Sequence, residues 1–175
     1  GVVLHNGYGL TETSPTISRT LYAVGSNEVN IGTPIPGVEI KIVGSDGCEI
    51  MDGSPGELHV RGPNVMLGYF RQPELTEAVI DKDGYLNTGD IVSVNSKQEM
   101  VVQGRTKELI IRSGFNVYPP EIEAALNTHP AVLNSAVVGR SIAGREEIVA
   151  FVEPVPGCHI EIGTLFALLD EQLAR

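Results

Sequence analysis

The sequence predicts an α+β fold, in which an antiparallel β-barrel-like subdomain is followed by a small α+β domain. Up to about Gln103, short segments of alternating apolar and polar residues are separated by glycine and proline turns, a pattern typical of antiparallel strands. After Gly104, a helix opened by two prolines and two apolar segments follow, which indicates a compact α+β unit. We therefore expect two domains, residues 1–105 and residues 106–175.

The β-rich part is predicted to begin with a strand end and a glycine-rich turn in residues 1–16. Residues 29–44 look like a β-hairpin, because glycines and prolines between two strand-like segments favour a tight connection. Residues 38–42 alternate between apolar and polar side chains, which is the period of a half-buried strand. A further strand is expected around Leu58 and Val60.

The rest of this part is expected to hold a short helix, a loop and a second hairpin. The helix begins at a proline, which favours the first helical position, and a glutamate follows in its first turn. In chain order, the three elements are residues 73–80, the loop Thr88-Gly89-Asp90, and the paired strands Ile91–Val94 and Glu99–Gln103.

The small domain is predicted from its apolar segments and its prolines. Ile122 and Leu126 lie one turn apart on one face of the helix that Pro119 opens. A turn at Ala143-Gly144 separates two apolar strands, and a stripe of leucines marks an amphipathic helix at the end. These two strands are Val132–Val138 and Ile148–Val152, a further strand-like segment, Leu109–Arg112, precedes the helix, and the stripe is Leu165, Leu168, Leu169 and Leu173.

Composition excludes several classes of protein. Acidic residues outnumber basic ones by 22 to 12, and a net charge of −10 repels a phosphate backbone, so we expect no nucleic-acid partner. No apolar run approaches the roughly 18 residues that a membrane-spanning helix requires, so we expect no transmembrane segment. Cys48 and Cys158 are expected to be reduced thiols, and the four histidines lack the spacing of a zinc site. These features favour a cytoplasmic protein.

The first candidate site is a glycine-rich segment near the start of the chain. Gly7 and Gly9 flank Tyr8, so the backbone can approach a ligand closely while the ring offers a stacking face. The hydroxyl of Thr11 and the carboxylate of Glu12 could hold a phosphate oxygen and Mg²⁺. The segment is neither a dinucleotide fingerprint nor a phosphate-binding P-loop, and a Gly-x-Gly pattern by itself is also typical of an ordinary turn.

Two further segments carry charged residues beside glycines. Asp90 follows a glycine, and its carboxylate could accept two hydrogen bonds from a ribose diol, or it could simply cap a turn. Arg105 and Lys107 lie near the predicted domain junction, ahead of the segment Ser113–Pro119. The alternative for this basic pair is a solvated surface turn.

These three segments, in this order, resemble the motifs of the adenylate-forming superfamily, which includes acyl-CoA synthetases, luciferases and the adenylation domains of peptide synthetases. Gly56–Gly62 and Met66–Tyr69 are also similar to the barrel segment of that family, and we interpret both as structural. The segment Ser113–Pro119 is most similar to fatty-acyl-CoA synthetases. The resemblance implies that residues 1–105 are the C-terminal, β-rich part of a large nucleotide-binding domain, and that residues 106–175 are part of a small, mobile lid domain.

The resemblance also implies ligands and a role for each candidate residue. The ligands are ATP or AMP, Mg²⁺, a carboxylic acid and coenzyme A. In the implied scheme the nucleotide is bound by Tyr8, which stacks on adenine, by Thr11, which binds phosphate, and by Asp90, which holds the ribose hydroxyls with Arg105 beside it. Glu12 ligates Mg²⁺, and Lys107 is the hinge. Gly7 and Gly9 border the acyl pocket, and Ser113, Gly114 and Phe115 face the pantetheine tunnel.

The implied reaction has two steps. A carboxylate attacks the α-phosphate of ATP and gives an acyl-adenylate and pyrophosphate, and the thiol of coenzyme A then displaces AMP. The family's phosphate loop lies upstream of Gly1 and its catalytic lysine lies downstream of Arg175, so we expect this 175-residue chain to be a piece of a larger enzyme and inactive by itself.

Two other functions stay open on the sequence alone. One is an adenylation domain that transfers its acyl group to a carrier protein rather than to coenzyme A. The other is a non-catalytic module that binds nucleotide weakly or has only a structural role.

Overall fold

The computed structural model describes residues 5–21, 30–142 and 145–173. The backbone contacts divide the chain into two compact units, Gly1–Thr106 and Lys107–Arg175. A one-turn 3₁₀ helix, Thr106–Glu108, lies at the division. Each unit has its own cluster of buried apolar side chains. None of the helices in the described part of the chain has the length and apolar character needed to cross a bilayer.

The first unit is built on one antiparallel sheet of seven strands. Their spatial order is β1-β2-β3-β7-β6-β5-β4, and one short helix, α1, precedes β6. The elements are β1 (Gly7–Tyr8), β2 (Ser18–Arg19), β3 (Asn30–Pro34), β4 (Glu39–Val43), β5 (Gly56–Arg61), α1 (Pro73–Glu77), β6 (Leu86–Val94) and β7 (Met100–Arg105).

Alternation of apolar and polar residues explains the strands of this sheet. In β5, Leu58 and Val60 are completely buried, whereas the polar residues between and beside them are partly exposed. The same side of the sheet buries Ile17, Val92 and Met100, which join one core cluster. Successive strand side chains point to opposite faces, so this pattern places one face of the sheet on the core.

The predicted α+β class with antiparallel strands is confirmed, and so is the hairpin of β6 and β7. Its turn is closed by Asn95, whose side-chain oxygen accepts hydrogen bonds from the backbone N–H groups of Lys97 and Glu99. Within the described residues the sheet is open rather than a closed barrel, with β1 and β4 at its two ends.

The hairpin predicted for residues 29–44 is wrong, although its strands are present. β3 pairs with β2 on one side and with β7 on the other, and β4 pairs with β5. Both edges of β3 are therefore occupied, and β4 lies at the far end of the sheet. Local turn chemistry could not reveal this, because the partner of β3 comes from about 70 residues later in the chain. Residue 29 itself lies outside the described residues.

The loop predicted at Thr88-Gly89-Asp90 is also wrong, because all three residues belong to β6. Gly89 has a φ of 72°. The pairing of β6 with β5 is irregular across Gly89, and its pairing with β7 is irregular just after it, at Ile91. A glycine at positive φ is typical of a bulge, which bends a strand without ending it. The turn signal was therefore real, but it marks a distortion within a strand.

The second unit contains two β-hairpins and two helices. β8 pairs with β9, and β10 pairs with β11, both antiparallel. The elements are β8 (Ile110–Arg112), β9 (Phe115–Val117), α2 (Pro119–Leu126), β10 (Val132–Ile142), β11 (Arg145–Pro154) and α3 (Ile162–Gln172). The core is formed by Ile110, Ile122, Leu126 and Val137, with Leu165, Leu169 and Leu173 packed against it.

The predicted elements of this unit are present, with different bounds. The strands β10 and β11 extend beyond the predicted segments, and the turn predicted at Ala143-Gly144 lies outside the described residues. Ser113 and Gly114 form the two-residue turn between β8 and β9, both at positive φ, 52° and 85°. This geometry is the favoured one for a tight hairpin. The strand β9 was not predicted.

Candidate functional site

Asp90 is the centre of a polar cluster in the first unit. Its side chain is only 6% exposed, and its Oδ2 accepts a hydrogen bond of 2.5 Å from the hydroxyl of Tyr8. Its Oδ1 lies 3.1 Å from Nε of Arg105, whose side chain is 62% exposed. Tyr8 and Asp90 are 82 residues apart in the chain, and Asp90 and Arg105 are direct partners in the pairing of β6 with β7. The fold thus brings three of the candidate residues together.

The local backbone frees the Asp90 side chain from capping a turn. The bulge in β6 is stabilised by its neighbours, because Asn87 accepts a hydrogen bond from the N–H of Gly89 and Thr88 accepts one from the N–H of Asp90. Among the described residues, no backbone N–H donates to the Asp90 carboxylate. In the described residues, the Asp90 side chain therefore does not cap a turn.

Tyr8 is half-buried, and its ring packs against the core of the first unit. Burial raises the pKa of the Tyr8 phenol well above its ordinary value, and the hydrogen bond to the Asp90 carboxylate raises that pKa further. The phenol therefore stays protonated at neutral pH and acts as a donor to Asp90.

Glu12 lies at a second polar contact, in the 3₁₀ turn Thr11–Thr13. Its Oε1 accepts a hydrogen bond of 2.8 Å from the hydroxyl of Tyr69, and this hydrogen bond raises the pKa of the Tyr69 phenol. Thr11, next to it, is exposed. The sequence did not indicate Tyr69, because 57 residues separate it from Glu12 and its segment was interpreted as structural.

The two glycines on either side of Tyr8 differ in their surroundings. A Cβ on Gly9 would lie 1.6 Å from the carbonyl oxygen of Pro15, so the backbone itself requires glycine there. Among the residues that the structure describes, a Cβ on Gly7 would meet only the carbonyl oxygen of Ser18, at 3.9 Å, which is an ordinary contact. A structural requirement therefore accounts for Gly9, whereas Gly7 has no comparable one.

A magnesium ion carried by a nucleotide is compatible with this site. Within the residues that the structure describes, no group of three or more His, Cys, Asp and Glu side chains could enclose a metal ion. Mg²⁺ does not need such a group, because it usually binds one or two carboxylates together with substrate phosphates and water. In the same described residues, Glu12 Oε2 accepts no hydrogen bond, so one oxygen of a half-exposed carboxylate is available.

The remaining candidates belong to the second unit. Lys107 is exposed in the 3₁₀ turn at the division, and Ser113, Gly114 and Phe115 are exposed at the β8–β9 hairpin. Ser113 also lines an open cleft of about 1130 Å³ within this unit. The other residues of the cleft are Leu109, Ile111, Arg112, Ile142, Arg145, Glu146 and Glu147.

Comparison with protein families decides the classification. The family model described as AMP-binding enzyme matches residues 1–70, and the model described as AMP-binding enzyme C-terminal domain matches residues 121–175. The chain belongs to the AMP-binding enzyme family. The predicted resemblance to adenylate-forming enzymes is thereby confirmed, and the family's members include ligases and acyl-CoA synthetases.

The AMP-binding relatives include enzymes of different specificity. A long-chain-fatty-acid–CoA ligase from Escherichia coli O157:H7 is 45% identical over 139 residues, which are 79% of this chain and 25% of that protein. The structure of an amide bond synthetase from Marinactinospora thermotolerans matches with a TM-score of 0.89 and 32% identity, over 99% of this chain and 36% of the other.

O-succinylbenzoate coenzyme A synthetase from Bacillus subtilis, solved with ATP and a magnesium ion, matches with a TM-score of 0.85 and 34% identity, over 98% of this chain and 35% of the other. This chain thus spans about a quarter to a third of the proteins it matches.

Proposed function

We propose that this chain is part of an ATP-dependent acid–CoA ligase that activates a fatty acid as its acyl-adenylate and transfers the acyl group to coenzyme A. The observation that carries the proposal is the cluster of Tyr8, Asp90 and Arg105, which unites residues from distant parts of a chain of this family. The fatty-acid preference is supported by the 45% identity to a long-chain-fatty-acid–CoA ligase. We also propose a cytoplasmic location.

The nucleotide is assigned to the first unit. Asp90 holds the ribose hydroxyls, because a carboxylate oxygen has two acceptor positions and each Asp90 oxygen uses one of them for Tyr8 or Arg105. Tyr8 offers its ring to adenine while its hydroxyl holds Asp90 in place. Arg105 is largely exposed and can swing towards a phosphate or remain with the carboxylate.

The phosphates are assigned to the turn Thr11–Thr13. The exposed Thr11 hydroxyl donates to a phosphate oxygen, and Glu12 holds the magnesium ion that accompanies ATP. Such an ion neutralises charge on the phosphates and so favours attack at phosphorus. In the first step the acid's carboxylate forms a bond to the α-phosphorus and pyrophosphate leaves with the electrons of the broken P–O bond.

The second unit is assigned to the thioester step. The thiolate of coenzyme A attacks the acyl carbon of the adenylate, and the C–O bond to AMP breaks. Lys107 is the proposed hinge between the two units, and Ser113, Gly114 and Phe115 are proposed to face the pantetheine arm. The two steps use different nucleophiles. Rotation of a domain about a hinge is a known motion by which different groups can be brought to a bound ligand. Gly7 is proposed to border the acyl pocket, together with Gly9, whose identity the backbone also requires.

The test is an Asp90→Asn substitution in the full-length protein that contains this chain. Hydrogen bonds to charged groups are worth about 1.5–3 kcal/mol each, so losing the charge should lower kcat/KM for ATP by roughly tenfold to several hundredfold. The measurement is pyrophosphate release with ATP, Mg²⁺ and fatty acids of different lengths, alongside the melting temperature of each protein.

Asp81→Asn is the matched control. The Asp81 carboxylate accepts hydrogen bonds from the backbone N–H groups of Asp83 and Tyr85, as a turn cap does. This variant should lose about 1 kcal/mol of stability or less, with an unchanged KM for ATP. An Asp90→Asn protein with the same profile as the control would overturn the ribose assignment. Acyl transfer to a carrier protein instead of coenzyme A would favour an adenylation domain. Failure of the wild type to bind ATP in calorimetry would favour a non-catalytic module.

A further inference from the structure

Tyr69 and Glu12 form a contact that the assigned roles do not explain. The hydroxyl of Tyr69 donates a hydrogen bond of 2.8 Å to Glu12 Oε1, although the two residues belong to segments 57 positions apart. Tyr69 is 37% exposed and Glu12 is partly exposed, so both groups could have satisfied their hydrogen bonds with water. A retained contact between two such groups indicates that their surroundings hold them together.

The loop that carries Tyr69 is attached to the Glu12 turn at further points. The N–H of Met66 donates to the carbonyl oxygen of Glu12 at 2.7 Å. The side-chain amide of Asn64 donates to the carbonyl oxygens of Thr13, at 3.1 Å, and Thr16, at 2.8 Å. The Tyr69 hydroxyl is therefore the side-chain end of a docked loop, and its contact with Glu12 is part of a built arrangement.

The backbone of Tyr69 is fixed from the other side as well. Its N–H donates to the hydroxyl oxygen of Thr76 at 2.9 Å, and that hydroxyl donates in turn to the carbonyl oxygen of Gln72. Thr76 belongs to α1, so the helix anchors the residue that reaches Glu12. The phenol thus extends from a backbone that is held both by the helix and by the docked loop.

The geometry points to Tyr69 as a positioning residue that holds the Glu12 carboxylate through Oε1 and leaves Oε2 for the magnesium ion of the bound nucleotide. This inference rests on the proposed function, because it needs Glu12 to act as a metal ligand. A glutamate side chain has several rotamers, and one oriented beforehand by a neighbouring donor loses less entropy when it binds. Partners of metal ligands usually orient them in this way.

The test is metal affinity in the full-length protein, measured with Mn²⁺ as the probe. Electron paramagnetic resonance of free Mn²⁺, with a non-hydrolysable ATP analogue present, gives the affinity without turnover. Tyr69→Phe keeps the ring and removes only the hydroxyl, and it should weaken Mn²⁺ binding about tenfold, the lower end of the range for partners of metal ligands. The affinity for the metal-free analogue should stay unchanged.

Two further variants separate positioning from a structural role. Tyr85→Phe removes the same kind of bond, because the Tyr85 hydroxyl donates to Glu39 at 3.2 Å elsewhere in the first unit, and it should leave Mn²⁺ affinity unchanged. Glu12→Gln removes the charged ligand, so adding Tyr69→Phe to it should cost nothing more if Tyr69 acts through Glu12.

The outcomes distinguish this inference from the proposal beneath it. A wild type that binds Mn²⁺ with nucleotide, and a Tyr69→Phe protein with equal affinity, would overturn the positioning role and leave the function intact. A Tyr69→Phe protein with only a lowered melting temperature would do the same, since the contact would then merely brace the loop. A wild type that shows no nucleotide-dependent Mn²⁺ binding would overturn the metal assignment of Glu12 itself.

Discussion

Asp90 shows how one residue determines the arrangement of the candidate site. A carboxylate removed from water is costly unless hydrogen bonds replace its hydration. Asp90 obtains one from the Tyr8 hydroxyl and is paired with the Arg105 guanidinium, and each uses a different oxygen. Arg105 is the more exposed partner, so under the proposed function it is the one that can leave when the nucleotide binds. The burial of Asp90 therefore keeps its orientation fixed, and the exposure of Arg105 keeps the site accessible.

The Tyr8 phenol gives a pH prediction. Because its pKa is raised in the folded protein, the protonated phenol contributes stability that is fully present below the ordinary tyrosine pKa of about 10. That contribution is lost as the pH rises from there through the raised value. The pKa values of the Tyr69 and Tyr85 phenols are raised as well, by the hydrogen bond to Glu12 and by burial respectively. Phenolate absorbance should therefore show a late phase to which Tyr8 contributes, and Tyr8→Phe should lower the amplitude of that phase by one phenol.

Asp90→Asn is the second arm of the titration. Without the negative charge beside it, the Tyr8 phenol should ionise at lower pH, so its share of the late phase should move to lower pH without disappearing. A late phase of undiminished amplitude in Tyr8→Phe would show that other tyrosines produce all of it.

At the scale of elements, local patterns predicted which segments form strands and helices but not how the strands pair. Alternation identified β4 and β5, and the paired prolines identified the start of α2, because both signals lie within a few residues. The partners of β3 lie far away in the chain, so its predicted hairpin failed. The Glu12–Tyr69 contact was not predicted for the same reason, since its two residues are 57 positions apart and only the folded chain brings them together.

Replacing glycine by alanine should change the stability in opposite directions at two positions in different elements. In the described part of the chain, a Cβ on Gly89 in β6 or on Gly163 in α3 would meet no heavy atom within 4 Å, so crowding does not decide either effect. Gly89 has a φ of 72°, and alanine there should cost about 1–2 kcal/mol. Gly163 lies in a helix, where alanine should stabilise by about 0.5 kcal/mol.

Denaturant unfolding of the two glycine variants checks this pair. Gly89→Ala should lower the transition midpoint and Gly163→Ala should raise it, each with the slope of the wild type. A Gly89→Ala protein as stable as the wild type would mean that the bulge relaxes to negative φ without loss.

At the scale of the molecule, the two units have separate cores. The buried cluster of the first unit runs from Ile17 to Met100, and that of the second from Ile110 to Val137. This division accounts for which parts of the site could be predicted. Tyr8, Asp90 and Arg105 belong to one unit, so the fold of that unit is enough to test whether they lie together. The proposed hinge and pantetheine roles would depend on motion between the units, which no local sequence pattern encodes.

Two matched core substitutions test whether the units are independent in stability. Leu58 of the first unit is 0% exposed and Leu126 of the second is 1% exposed, so Leu→Ala at either site should cost about 2–5 kcal/mol. Because Leu58 belongs to the core cluster of the first unit and Leu126 to that of the second, Leu58→Ala should speed amide hydrogen exchange in residues of the first unit, and Leu126→Ala in those of the second. Mass spectrometry of peptides from each unit gives the measurement. If either variant speeds exchange equally in both units, the molecule unfolds as one cooperative body. The hinge proposed at Lys107 would then join two units that are not independently stable.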